Sequence, residues 1–174
     1  MKRAWPVFVG AIAFASFGCW AQGGGPSDAE IAAIVVTANQ VDIDAGKLAE
    51  SKGRSKQVKD FGKQMVTDHT GVNQQATALV KKLNVKPQEN DTSKAIKKGG
   101  DDNLANLKTL SGAAFDRAYI DHEVAYHQQV LGAVDKTLIP NAKNAELKGL
   151  LEKVRPAFVA HLEHAKQVQS QLGK

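Results

Sequence analysis

Apolar residues recur at steps of three and four along four long stretches of this chain, and each stretch predicts an amphipathic helix. The first carries Ile31, Ile34, Ala38, Val41, Ala45 and Leu48. It starts behind Ser27, which has Glu30 three residues on as in a capping box, and it stops near Gly53. The second, behind Ser55 and reaching about Asn84, carries Phe61, Met65, Val72, Ala76, Leu79 and Leu83. The third begins at Ala113 with the stripe Ile120, Val124, His127, Leu131, Val134 and Leu138, and Ile139-Pro140-Asn141 is expected to end it. The fourth, capped by Asn144, runs through Leu147, Leu151, Val154, Phe158, His161, Ala165, Val168 and Leu172, with Pro156 predicted to kink it.

Between Val85 and Asn103 apolar residues almost disappear, and Pro87, Gly99 and Gly100 act as breakers. The expectation is a surface crossover with a helical turn or two around Lys94, then a short amphipathic piece at Leu104, Leu107 and Leu110. No stretch alternates as a strand. The break at Gly53 is short enough to make the first two helices antiparallel neighbours, each about 40 Å long. The pattern as a whole predicts an all-α protein: a ferritin-like four-helix bundle, two antiparallel hairpins joined by a long crossover with a short extra helix.

Composition narrows the setting. Lys2 and Arg3, the apolar run Ala4 to Phe17 and the small residues around Cys19-Trp20-Ala21 read as a secretory signal over residues 1–21. That leaves a flexible leader at 22–26, QGGGP, and one bundle domain at 27–174. Cys19 behind Gly18 also permits a lipid-modified N-terminus, although Ser16-Phe17-Gly18 is a poor version of that signal. Cleavage near Ala21 removes the only cysteine, so neither disulfides nor thiol chemistry is expected. The expected location is the periplasm or the outer-membrane surface, with peripheral envelope association. Formal charge falls from +5 to +3 when Lys2 and Arg3 leave; with basic residues dispersed among acids and few aromatics, no nucleic-acid partner is expected. The protein partner and oligomeric state are left open.

The candidate chemistry lies in ionisable residues on inward faces. His127 and His161 take positions in otherwise apolar stripes, Asp68-His69 falls on or beside the inner face of the second helix, and Asp42 flanks the first. Glu123, four residues before His127, can act with it. The candidate metal ligands are therefore Asp42, Asp68, His69, Glu123, His127 and His161, with at least one from each long helix, which is how bundle metal sites are built. Copper, zinc, iron and manganese all suit such a set. The competing expectation is that these histidines are neutral core residues hydrogen-bonded within the fold, in a non-enzymatic structural or interaction module. His122 shares a face with Tyr119 and Tyr126, away from the core stripe, and His164 lies near an edge. Counted from the turns, Asp42 and His69 come within about 5 Å in level, whereas His127 and His161 differ by about 9 Å, which argues against one shared centre. Glu-x-x-His pairs, which a di-iron site needs twice, are absent, and this disfavours an oxidoreductase of the rubrerythrin or manganese-catalase sort. No catalytic residue is assigned.

Phe61-x-x-x-Met65-Val66-x-Asp68-His69-Thr70, then SGAAFDRAYIDHEVAYHQ over 111–128, then His161-Leu162-Glu163 resemble an exported bacterial family known as domain of unknown function 4142, "predicted outer membrane protein". The resemblance spans about Asp28 to Gln171 and implies a ferritin-like fold. Its Asp-His pair matches Asp68 and His69, and its later histidines match His127 and His161. Where this chain has Asp42 the family pattern usually has Glu, and the shorter acid has less reach. His122 and His164 look particular to this chain. The resemblance implies no activity.

Overall fold

The computed structural model describes residues 24–172, so the expected signal sequence, Cys19 and the start of the leader lie outside the described residues. All regular structure among them is helical. Helix α1 covers Asp28–Lys52, α2 Lys56–Lys82, α3 Asp91–Thr109, α4 Gly112–Ala133 and α5 Ala145–Leu172. Ser27 and Glu30 form the expected capping box, and the Ser55 and Asn144 side chains accept backbone N–H groups at the starts of α2 and α5. No described helix is long and apolar enough to cross a membrane.

Two segments depart from expectation. The crossover is one 19-residue helix, α3, capped by Asn90 and Ser93. Gly99 and Gly100 lie inside it because Gly100 is a point of close approach, not a break: a Cβ there would collide with the Val41 side chain on α1. α4 ends at Ile139-Pro140-Asn141 as expected, but not as a plain α-helix. It widens into a π-helical segment, Val134–Leu138, and continues through a last α-turn, Ile139–Asn141. Widening changes which carbonyls need donors, and so accommodates a proline that has none. The leader is also less loose than expected, since Pro26 is buried.

α1 packs against α2, α3 and α4, and α5 against α4 and α2. Enclosed on several sides, α1 buries residues all round its circumference, Ile31 to Val35 consecutively, which its Ala-rich sequence permits. Each hairpin turn is held by an acid from the leading helix of the other hairpin. Buried Asp116 on α4 accepts the N–H groups of Arg54 and Ser55, both at 2.8 Å, at the α1–α2 turn. Asp28 on α1 accepts those of Lys143 and Asn144, at 2.8 and 3.0 Å, at the α4–α5 turn. These ties make α1 antiparallel to α4 and fix the register of the helices at both ends.

Three apolar clusters fill the interior. One gathers Ala45, Phe61, Met65, Tyr119, Ile120 and Ala165; a second gathers Ile31, Ile34, Ala76, Val134 and Leu151; a third, smaller, gathers Val72, Val154 and Phe158. Between the first two in register come Asn39 and Asp42, His69, Glu123 and His127, and His161. The core is thus apolar, polar, apolar along the long axis.

α1 and α2 cross most closely at Gly46 and Gly62. A Cβ on Gly62 would lie 2.7 Å from the Gly46 carbonyl oxygen and 2.8 Å from the Ala49 Cβ. Gly62→Ala should destabilise the protein by about 1–3 kcal/mol in urea unfolding. Gly71, in the same helix with nothing within 4 Å of its would-be Cβ, is the control: Gly71→Ala should stabilise by about 0.5–1 kcal/mol.

Candidate metal centre

The polar layer is nearly dry. Asn39, Asp42, His69, Glu123, His127 and His161 are each at most 3% exposed. The rings of His69, His127 and His161 form a near-equilateral triangle with centroids 5.7, 5.5 and 5.2 Å apart. His69 further stacks on Phe158 at 5.3 Å. The expected 9 Å mismatch between His127 and His161 does not occur. Because α4 continues to Asn141, His127 stands 14 residues before its end, and His161 stands 16 residues after the start of α5.

Hydrogen bonds fix which nitrogen of each ring carries a proton. The Val36 carbonyl can only accept, so Asn73 donates to it through Nδ2 at 3.3 Å and presents Oδ1 to Asn39 Nδ2 at 3.0 Å. Asn39 Oδ1 is then the acceptor for His69 Nδ1–H at 2.7 Å, and His69 Nε2 keeps its lone pair. His127 Nδ1–H donates to the Glu123 carbonyl at 3.1 Å, one turn back. His161 Nε2–H donates to Asp68 Oδ2 at 2.9 Å. The remaining nitrogens, His69 Nε2, His127 Nε2 and His161 Nδ1, have no hydrogen-bond partner, and neither do Asp42 Oδ1 and both Glu123 oxygens. His69, His127 and His161 can each offer one ligand atom within 4.8 Å of the others, and Asp42, Glu123 and His127 form a second such group that shares His127. These side-chain clusters could hold a metal ion. Holding the outer nitrogen of a ligating imidazole by a carboxylate or carbonyl is how proteins orient such ligands.

Of the six expected ligands the structure brings five together. Asp68 sits outside the layer, behind His161. Sequence reasoning missed Asn39 and Asn73, whose signal was a polar residue beside Ala38 on α1 and another four residues after His69. It also treated the His122 face as lying away from the core. In fact Tyr119 and Tyr126 are buried, Tyr126 donates to the Ala38 carbonyl at 3.1 Å, and His122 stacks on Tyr126 at 5.5 Å, half-buried. α1 and α3 both pack on α4 and close that side. His164 stays at the edge and donates through Nδ1 to Gln64 Oε1 at 3.0 Å.

Burial, with His127 and His161 beside it, holds the His69 imidazole well below its ordinary pKa. Burial also lowers His161, against the opposing pull of Asp68. For His127 burial acts downward too, but Asp42 and Glu123 outweigh it and lift the imidazole to about 9. Burial pushes Asp42 well above the usual carboxylate range. Without a cation, Asp42 draws a proton in its place.

The chain belongs to the family described as "Domain of unknown function (DUF4142)", whose profile matches residues 20–168. No curated protein and no solved structure matches it significantly.

The buried histidines should make the stability of metal-free protein fall on both sides of about pH 6.5, and the raised Asp42 adds to the loss as pH rises. The raised His127 contributes stability that is present in full below its unfolded value near 6.5 and lost as pH rises through about 9, a loss of up to about 3 kcal/mol. The lowered His69 and His161 stay neutral in the fold but take protons when unfolded, so stability also falls as pH drops below 6.5. Urea unfolding with a chelator present, between pH 5 and 9.5, measures both limbs, and His127→Gln should flatten the alkaline one.

Proposed function

We propose that this member of the family is an exported envelope protein that holds a transition-metal ion between the helices of a ferritin-like four-helix bundle. Two hairpins, α1–α2 and α4–α5, joined by a long crossover are the arrangement such bundles use. The observation that carries the metal reading is the convergence of three inward imidazole nitrogens, each without a partner, with the carboxylates of Asp42 and Glu123. Leaving such groups buried and unpaired costs about 1–3 kcal/mol each. Once the protons on Asp42 and His127 are displaced, three neutral imidazoles and two carboxylates carry a charge of −2, which a divalent ion neutralises. Nitrogen and oxygen donors suit zinc, copper, iron or manganese. With one Glu-His pair on α4 and no second one, the layer fits a binding centre better than a carboxylate-bridged pair of metals. We place the protein in the periplasm or peripherally at the outer membrane, because residues 1–21 read as an export signal.

A structural role for the same histidines has two contacts in its favour. His69 Nε2 lies 3.5 Å from Asp42 Oδ2, and His127 Nδ1 lies 3.4 Å from Glu123 Oε2. Small movements would turn either into an ion pair.

Loading tag-free mature protein with copper, zinc, iron and manganese in turn, followed by elemental analysis, separates the two readings. The metal reading expects about one equivalent of at least one metal, its loss in His127→Ala/His161→Ala, and a melting temperature raised by roughly 10 °C when free metal is a thousandfold above Kd. Less than about 0.1 equivalent of every metal, with no thermal shift, would leave the structural reading standing.

A further inference from the structure

The outer partners of the three rings differ in what lies behind them. His127 leans on a carbonyl inside α4. His69 leans on Asn39, itself 2% exposed, which passes the contact to Asn73. His161 leans on Asp68, whose side chain is 41% exposed while Oδ2 is 2.9 Å from the ring nitrogen. Asp42 and Glu123, the other carboxylates paired with histidine, are at most 4% exposed. Among the described residues, Asp68 is therefore the carboxylate that touches both a ring of the centre and bulk water.

Resting on the metal reading above, we propose that Asp68 is the port through which a hydrated divalent cation reaches the centre, along the seam between α2 and α5. The other sides are closed to an ion. Phe158 covers His69, Tyr126 is hydrogen-bonded to α1, and α3 lies over α1 with Gly100 against Val41. Asn73 does border a shallow surface groove with Gln40, Thr70 and Thr77. Its amide is uncharged and engaged by Asn39 and the Val36 carbonyl, so it attracts a cation far less than a carboxylate does. Asp68 supplies a full negative charge. At contact distance in water a carboxylate attracts a divalent ion twice as strongly as a monovalent one. One Asp68 oxygen holds His161, and the Gln64 side chain lies 3.4 Å from the same oxygen and links on to His164. A captured ion thus meets His161 first among the rings, and the swing of one imidazole carries it inward.

Asp68→Asn isolates the charge, because its amide oxygen still accepts from His161 Nε2–H. Stopped-flow transfer of Zn2+ from a dye, at low salt, should show uptake slowed by about tenfold or more, with one equivalent still bound at equilibrium. Release to a chelator should slow with it, since a port serves both directions. Asp68→Glu should restore the rate to within about threefold, and near 1 M salt, where the Debye length is about 3 Å, wild type and Asp68→Asn should converge. An Asp68→Asn uptake rate within about twofold of wild type, or faster release with uptake unchanged, would overturn the port and leave Asp68 as a support that only orients His161. The same transfer is run with whichever of zinc, copper, iron and manganese the chain binds; a wild-type chain that takes up none of the four at equilibrium would overturn the metal reading itself, and the port with it.

Discussion

An imidazole has two ring nitrogens, and in a dry interior each needs a partner. At the middle of this bundle three imidazoles have one nitrogen satisfied from outside and the other facing the same small volume with nothing to bond. Asp42 and Glu123 form an adjoining group that shares His127. Domains of this size are stable by only about 5–15 kcal/mol, so a layer with this many unpaired groups is a heavy deficit unless something fills it. The apolar clusters carry the fold, and on the metal reading proposed above the polar layer is completed by a ligand that supplies positive charge and accepts lone pairs.

The rest of the architecture maintains that level. Asp28 and Asp116 each tie one hairpin's turn to the leading helix of the other, so neither hairpin can slide by a turn without stripping a carboxylate from its two N–H partners. Gly46 and Gly62 let α1 and α2 approach until the Asn39, Asn73 and His69 side chains link across the gap. The π-helical segment before Pro140 lengthens α4 and brings His127 level with His161.

Much of this was legible in the sequence because it rests on period. The helix starts at Ser27, Ser55 and Asn144, the inward positions of His127 and His161, and the meeting of Asp42 with His69 all follow from three-four spacing and cap chemistry. What was not legible depends on the approach of segments distant in sequence. Gly99-Gly100 reads as a break, yet it is the flat side of α3 pressed on Val41. The widening at Val134–Leu138 was not legible, because nothing local announces a π-turn. Asn39 reads as an ordinary polar residue until His69, thirty positions away, is placed beside it. Asp68 and His69 could not be ranked from spacing alone, as adjacent residues on one helix diverge by about 100°, and only packing against α5 shows that the histidine faces inward while the acid stays at the seam.

X-ray absorption at the edge of the bound metal, in protein loaded to one equivalent, tests the central claim most directly. The account predicts three imidazoles with nitrogen at about 2.0–2.1 Å and carboxylate oxygen at a similar distance, falling to two imidazoles in His161→Ala. A spectrum of oxygen ligands with one imidazole or none, unchanged by that substitution, would contradict it.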